Sequence, residues 1–326
     1  AIVTDMTAAQ DNPHDSLFRA IMSNPTAAAA HLQTILPPWL VALIDWNTLE
    51  LAPTRYILDG LRNRESDVVF TATMAGHHGY LHLMLEHQST PHKHMPLRTL
   101  EYTIGQWGQH LKENPNSDHY PLVIPVVIHS GPANRTWNHS TELWDRVGTD
   151  PTLRARLGPF IPRYQIIVDD ISRLSIDNLY ARNLPPAVTT MLLLHRLASR
   201  NQHLDHDLKP HIEVLRAIEQ TPTGPHDLHT VFTYISKVSE TSPQDLSRLV
   251  DQLGPVAKEA AMTTAEQLRA EGEVKGQAVM LIHQLTIKFG PLPQQMVNRV
   301  EAADATALER WSERVLTATS LPEVFS

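Results

Sequence analysis

Arg64-Glu65-Ser66-Asp67-Val68-Val69-Phe70 and Tyr80-Leu81-His82-Leu83-Met84-Leu85-Glu86-His87-Gln88-Ser89 are the two stretches whose reading decides the fold. Both carry apolar runs and read as neighbouring strands, with the hairpin turn placed at Gly76 to Gly79. Strand side chains alternate in face. Glu86 and Gln88 therefore project with His82 and Met84, while Leu81, Leu83 and Leu85 turn to the core. Asp67 opens its strand, and the hairpin brings it beside Glu86. Two carboxylates at strand ends are hard oxygen ligands suited to Mg²⁺ or Mn²⁺. Such a metal lowers the pKa of a bound water and neutralises charge on a phosphodiester. Asp followed by Glu-x-Gln is a weak spacing by itself, and the strand context gives it weight. The plainer reading, two surface carboxylates at strand ends, stays open on the pattern alone.

Outward from this pair, residues 95–112 carry helical spacing through Leu97, Leu100, Ile104, Trp107 and Leu111. Leu122-Val123-Ile124-Pro125-Val126-Val127-Ile128 is a nearly continuous apolar run, as in a strand buried on both faces. A helix between strands is what a parallel crossover requires. Upstream, helices are expected from His14-Asp15-Ser16 and over Ala27 to Ile35, and a short strand over 51–58. Residues 131–160 read as loop and short helix, and Tyr164 to Val168 as a strand capped by Asp169-Asp170. From about 185 the pattern is helical: Ala187 to Leu197, Ile212 to Ile218, His229 to Val238, Pro243 to Leu253. Near 255 the composition shifts to Ala, Glu, Gln, Lys and Leu, and Val256 to Phe289 reads as one long helix ended by Gly290-Pro291. Two short helices and a capping signal at Ser320 to Glu323 close the chain. The expected organisation is an α/β core over 12–170, a helical region over 171–254 and a helical extension over 255–326, which suits self-association.

Composition removes several functional classes. The 326 residues contain no cysteine, so disulfide frameworks, thiolate metal sites and cysteine nucleophiles are out, and a reducing cytoplasm fits. A net charge of −8 rules out a strongly basic DNA-coating protein but not an enzyme with a local basic channel. The 19 histidines make the chain less acidic below pH 7. No apolar run approaches the ~18 residues of a membrane span. The opening Ala1-Ile2-Val3-Thr4-Asp5 lacks signal-peptide character, and Ala at position 1 fits removal of an initiator Met.

Several stretches taken in order resemble the recombination-promoting nuclease (Rpn) family, the YhgA-like transposases of the PD-(D/E)xK superfamily. They are His14-Asp15-Ser16-Leu17-Phe18-Arg19, Leu36-Pro37, Ile44-Asp45-Trp46, Arg64 to Phe70 and Leu85-Glu86-His87-Gln88-Ser89. Met95-Pro96-Leu97-Arg98 to Tyr102, Ile124 to Gly131, Phe289 to Pro293 and Leu308 to Trp311 follow, and Leu316 to Phe325 completes the match. The resemblance implies a restriction-endonuclease-like PD-(D/E)xK core, a mixed sheet flanked by helices, followed by an all-helical C-terminal region. It implies a Mg²⁺-dependent DNA endonuclease with Asp67 and Glu86 as metal ligands. Gln88 stands where the superfamily has lysine; an amide can orient by hydrogen bonding but carries no charge. Asp15 matches a position that can add a carboxylate to the metal, although an acid there also suits a helix N-terminus. Glu65 shares parity with Asp67 and can reach a second metal or pair with Arg62 or Arg64. Arg98 and Tyr102, i and i+4, fall on one helix face where an arginine can bind the scissile phosphate or cover apolar surface.

Rival motifs fail on geometry. Glu273-Val274-Lys275 lies in a helical pattern, where i and i+2 diverge. His82 to His87 misses the zinc-protease spacing. His77, His78, His92 and His94 flank the site and can bind a metal, although loop histidines are more often merely solvated, and His129, Asn134 and His139 are too tightly spaced for a His-Asn-His nuclease.

Overall fold

The computed structural model describes residues 12–52, 67–86, 92–130, 135–148 and 150–325. Helices α1 (Pro13–Met22) and α2 (Pro25–Ile35) begin alike. An asparagine, Asn12 or Asn24, accepts backbone N–H groups, and a proline occupies the first turn where no N–H is missed. α3 (Pro38–Val41) leads into β1 (Ile44–Leu51). β2 (Asp67–Met74) and β3 (His77–Glu86) follow, then α4 (Met95–Glu113) and β4 (Leu122–His129). α5 (Pro151–Arg156) lies in the connection to β5 (Ile167–Asp170). The rest is helical: α6 (Ile176–Ala181), α7 (Pro186–Leu197), α8 (Leu204–Leu208), α9 (Ile212–Ile218), α10 (Gly224–Val238) and α11 (Pro243–Asp251). α12 (Pro255–Phe289), α13 (Gln294–Glu301), α14 (Ala305–Thr317) and α15 (Leu321–Val324) complete it.

The strands form one mixed sheet in the order β1-β2-β3-β4-β5, antiparallel from β1 to β3 and parallel from β3 to β5. α4 is the crossover between the parallel β3 and β4, as its length and spacing predict. Met84 and Val127 pack under Met95 and Tyr102 of α4, with Val168 alongside. Asp169, the next residue of β5, instead meets His31 of α2. The sheet is thus covered on both faces. Tyr80, Leu81, His82, Leu83 and Met84 are consecutively buried, so the middle of β3 has no solvent face. A strand in mid-sheet buries both sets of side chains.

Three features depart from expectation. β1 lies at Ile44–Leu51, a strand the sequence reading did not mark, with a register shift between Asp45 and Glu50; of the strand expected over 51–58, residues 53–58 lie outside the described residues. The hairpin turn is Ala75-Gly76, with φ of 49° and 82°, not Gly76 to Gly79. Gly79 lies inside β3, where a Cβ would come 2.9 Å from Met74 Sδ and 3.2 Å from Leu122 Cβ, so close approach requires the glycine there. β5 runs from Ile167 to Asp170, which moves Asp169 and Asp170 from a cap into the strand.

The chain groups into two compact units, one reaching Lys258 and one from Glu259. In the first, α1 packs against α7 and α10, so residues of the expected core and of the expected helical region share one body. In the second, Leu281, Leu285, Val300, Leu308, Trp311, Val315 and Val324 form a separate core. Gly290, at φ 82°, stops α12, and Asp304 caps α14 by accepting the Ala307 N–H at 2.7 Å. No described helix is long and apolar enough to cross a membrane.

Candidate active site

Register sets the geometry of the strand ends. Asp67, first residue of β2, pairs with Met84, so its backbone position shares parity with Glu86 two residues along β3. Glu86 ends β3 and pairs in parallel register with His129 of β4, which pairs in turn with Asp170 of β5. One sheet edge therefore carries Asp67, Glu86, His129 and Asp170 at successive positions, and α4 leaves from that edge. Asp67 is two residues out of direct register with Glu86, a diagonal neighbour rather than a partner. Glu65 and Gln88 lie outside the described residues. Among the described residues no group of three or more His, Asp or Glu side chains is arranged to hold a metal.

The other two members of the row are structural. His129 is fully buried; its Nε2 donates to the Arg135 carbonyl at 2.8 Å, and its ring meets Trp137 edge-on at 5.7 Å. Asp170 accepts the Trp137 N–H at 2.8 Å and the Ser172 N–H at 3.2 Å, with Arg173 Nε 3.3 Å away. Both anchor the chain that leaves β4. On α4, Tyr102 is only 5% exposed and meets His82 edge-on at 5.1 Å. The ring helps seat α4 on the sheet. Arg98, one turn earlier, is half-buried. Asp15 sits half-buried in the first turn of α1, where its charge complements the helix dipole. His77 and His78 belong to β3 and not to a loop.

Two polar clusters escaped the sequence reading. Asp169 accepts both Arg182 guanidinium nitrogens at 2.8 and 2.7 Å, and His31 Nε2 lies 3.3 Å away. Burial alone would raise this carboxyl pKa, but Arg182 and His31 more than offset it and hold it well below the usual carboxylate range. The doubled acid Asp169-Asp170 at a strand end was the available signal. The second cluster joins α1, α7 and α10: Tyr234 Oη lies 2.8 Å from His14 Nδ1, and the His195 ring stands 5.7 Å from Tyr234. Burial pushes His14 down to about 4 and Tyr234 above its ordinary value. Side chains more than 200 residues apart gave no sequence signal.

A five-stranded mixed sheet with helices on both faces defines the class, a mixed α/β protein. Residues 12–225 match the family described as "Putative transposase, YhgA-like", and the chain belongs to that family. Its relatives include recombination-promoting nuclease RpnC of Escherichia coli K12, 34% identical over 45% of this chain and 51% of that protein. Recombination-promoting nuclease RpnA is 28% identical over 80% of this chain and 85% of the relative. The inactive recombination-promoting nuclease-like protein RpnE is 27% identical over 81% and 84%. No solved structure matches.

Proposed function

We propose that this chain is a metal-dependent DNA endonuclease with a PD-(D/E)xK core, cutting phosphodiester bonds in DNA recombination, mobility or defence against foreign DNA. The observation that carries the reading is the register: Asp67 and Glu86 stand at the same end of β2 and β3, with the crossover helix α4 next in the chain. Two carboxylates are a donor set of the right chemistry for Mg²⁺ or Mn²⁺, with Asp15 and Glu65 as further candidate ligands. Such a metal, when bound, supplies Lewis acidity and a water of lowered pKa. Gln88 orients the attacking water through its amide, and Arg98 with Tyr102 on α4 contacts the substrate, the guanidinium at the scissile phosphate. The nuclease works in the cytoplasm and self-associates through residues 255–326.

A second reading, a DNA-binding or protein-interaction module with little or no cleavage, is favoured by two observations. Gln88 replaces the lysine of the superfamily pattern, and a relative matching four-fifths of this chain is named inactive. Nicking of supercoiled plasmid with Mg²⁺ and with excess EDTA separates the two. Nicking in Mg²⁺ alone supports the nuclease; binding without nicking in either supports the module.

A further inference from the structure

Residues 144–148 and 150–163 belong to an arm on the β4–β5 connection whose ends are pinned together. Leu143 N–H donates to the Tyr164 carbonyl at 2.9 Å, Ile166 N–H donates to the Thr141 carbonyl at 3.0 Å, and Glu142 bridges to Gln165 in antiparallel pairing. Between these points the arm is organised on one ring, Trp144. Arg163 Cζ lies 3.5 Å from the centre of that ring, Arg154 Nη1 donates to the Trp144 carbonyl at 3.3 Å, and a Cβ on Gly158 would lie 3.4 Å from the indole. A surface loop closed at its neck and packed on its own side chains is frequently a functional element.

The outward face of the arm has an unusual composition. Within α5 and the turn after it, Arg154 and Gly158 seat on Trp144. Leu153 and Arg156 of α5, and Leu157 and Phe160 in the turn after it, are exposed. Phe160 is 84% exposed, Leu153 52% and Leu157 44%. The arm contains four arginines, no lysine and only two acids, in a chain of net charge −8. Both acids are engaged locally: Asp145 accepts the Ser140 hydroxyl at 2.6 Å and lies 3.5 Å from Arg154, and Asp150 caps α5 through the Thr152 N–H at 2.8 Å. Among the described residues, Arg146, Arg156 and Arg163 have no carboxylate partner.

We propose that this arm grips duplex DNA, with Arg146, Arg156 and Arg163 on the phosphate backbone and Phe160 against a sugar or base step. The proposal rests on the nuclease reading and names the surface that would hold its substrate. Charge complementarity selects a polyanion. Guanidinium groups bind phosphate in a fork and are weakly hydrated, and an exposed aromatic ring beside them has a stacking partner in nucleic acid. A purely apolar protein partner would leave three guanidinium groups without a counter-charge.

The test is fluorescence anisotropy of a labelled duplex with the full chain, in EDTA so that binding is read without cleavage, over a range of salt. Arg146→Ala and Arg156→Ala should each weaken binding and lower the slope of log affinity against log salt by about 1. Phe160→Ala should weaken binding about tenfold with the slope unchanged, since a stacking contact of ~1–3 kcal/mol is lost without a charge. Arg156→Lys should keep the slope, and Lys237→Ala on α10 should behave as wild type. All these positions are exposed, and circular dichroism confirms that each variant is folded. Arm variants that bind as wild type overturn the proposal, and plasmid nicking by the same wild-type preparation would leave the nuclease reading standing. Salt-sensitive duplex binding through the arm, without nicking in Mg²⁺, supports the arm and removes the nuclease. Failure of wild type to bind duplex, with phosphatidylglycerol vesicles bound instead and released by Phe160→Ala, also overturns it.

Discussion

At Asp169, a buried carboxylate is held by Arg182 and faced by His31, so removing it leaves a largely covered guanidinium with no counter-charge. Asp169→Ala should therefore cost about 3–5 kcal/mol in denaturant titrations, as breaking one side of a buried pair does. Because its pKa is depressed on folding, its stabilisation is full above the unfolded carboxylate value and is lost only as pH falls through the lower folded value. His14 works in a higher window. Its folded pKa is down to about 4, so between about 6.5 and 4 the unfolded chain takes up a proton that the folded chain refuses. Stability should fall across that window as pH drops, by roughly 2 kcal/mol once its partial exposure is allowed for. Thermal melts at pH 7, 5.5 and 4 should show this loss in wild type and a flatter profile in His14→Gln; matching profiles would remove His14 as the cause. Gln88→Lys should leave the fold intact and keep or raise plasmid nicking. Complete loss of activity with normal metal affinity would mean that the amide has a specific role.

Among the elements, the β2–β3 hairpin depends on two residues in the left-handed region, Ala75 and Gly76. Adding a branched side chain at φ 82° should cost about 1–2 kcal/mol, so Gly76→Val should lower the denaturation midpoint without changing its steepness. Elements with a strong period were legible in the sequence: α4 from its spacing, β4 from its apolar run, α12 from its composition and the Gly290 stop. Elements that break their own pattern were not. β1 carries Asp45, Asn47 and Glu50 around a register shift, so it does not alternate. The start of β3 is hidden by His77, His78 and Gly79, residues that read as turn because glycine serves close packing as well as tight bends. The acids Asp67 and Glu86 were legible because strand ends are marked in sequence. The contacts of Tyr102, His129 and Asp170 were not, since each depends on what packs against it from another element.

The molecule as a whole divides at Lys258, with a core on each side of that point. If self-association resides in the second unit, light scattering should show the full chain as an oligomer and a chain ending at Lys258 as a folded monomer. Equal masses per chain for both would place association elsewhere or nowhere. The central claim is that the acidic strand edge of the first unit cuts DNA. It is tested most directly by supercoiled-plasmid nicking in Mg²⁺ with wild type, Asp67→Ala and Glu86→Ala, each beside a thermal melt. Wild type should nick, and each variant should melt near the wild-type temperature while losing at least about 10²–10³ in rate, as when an important electrostatic group is removed from an active site. Full nicking by either folded variant would contradict the account.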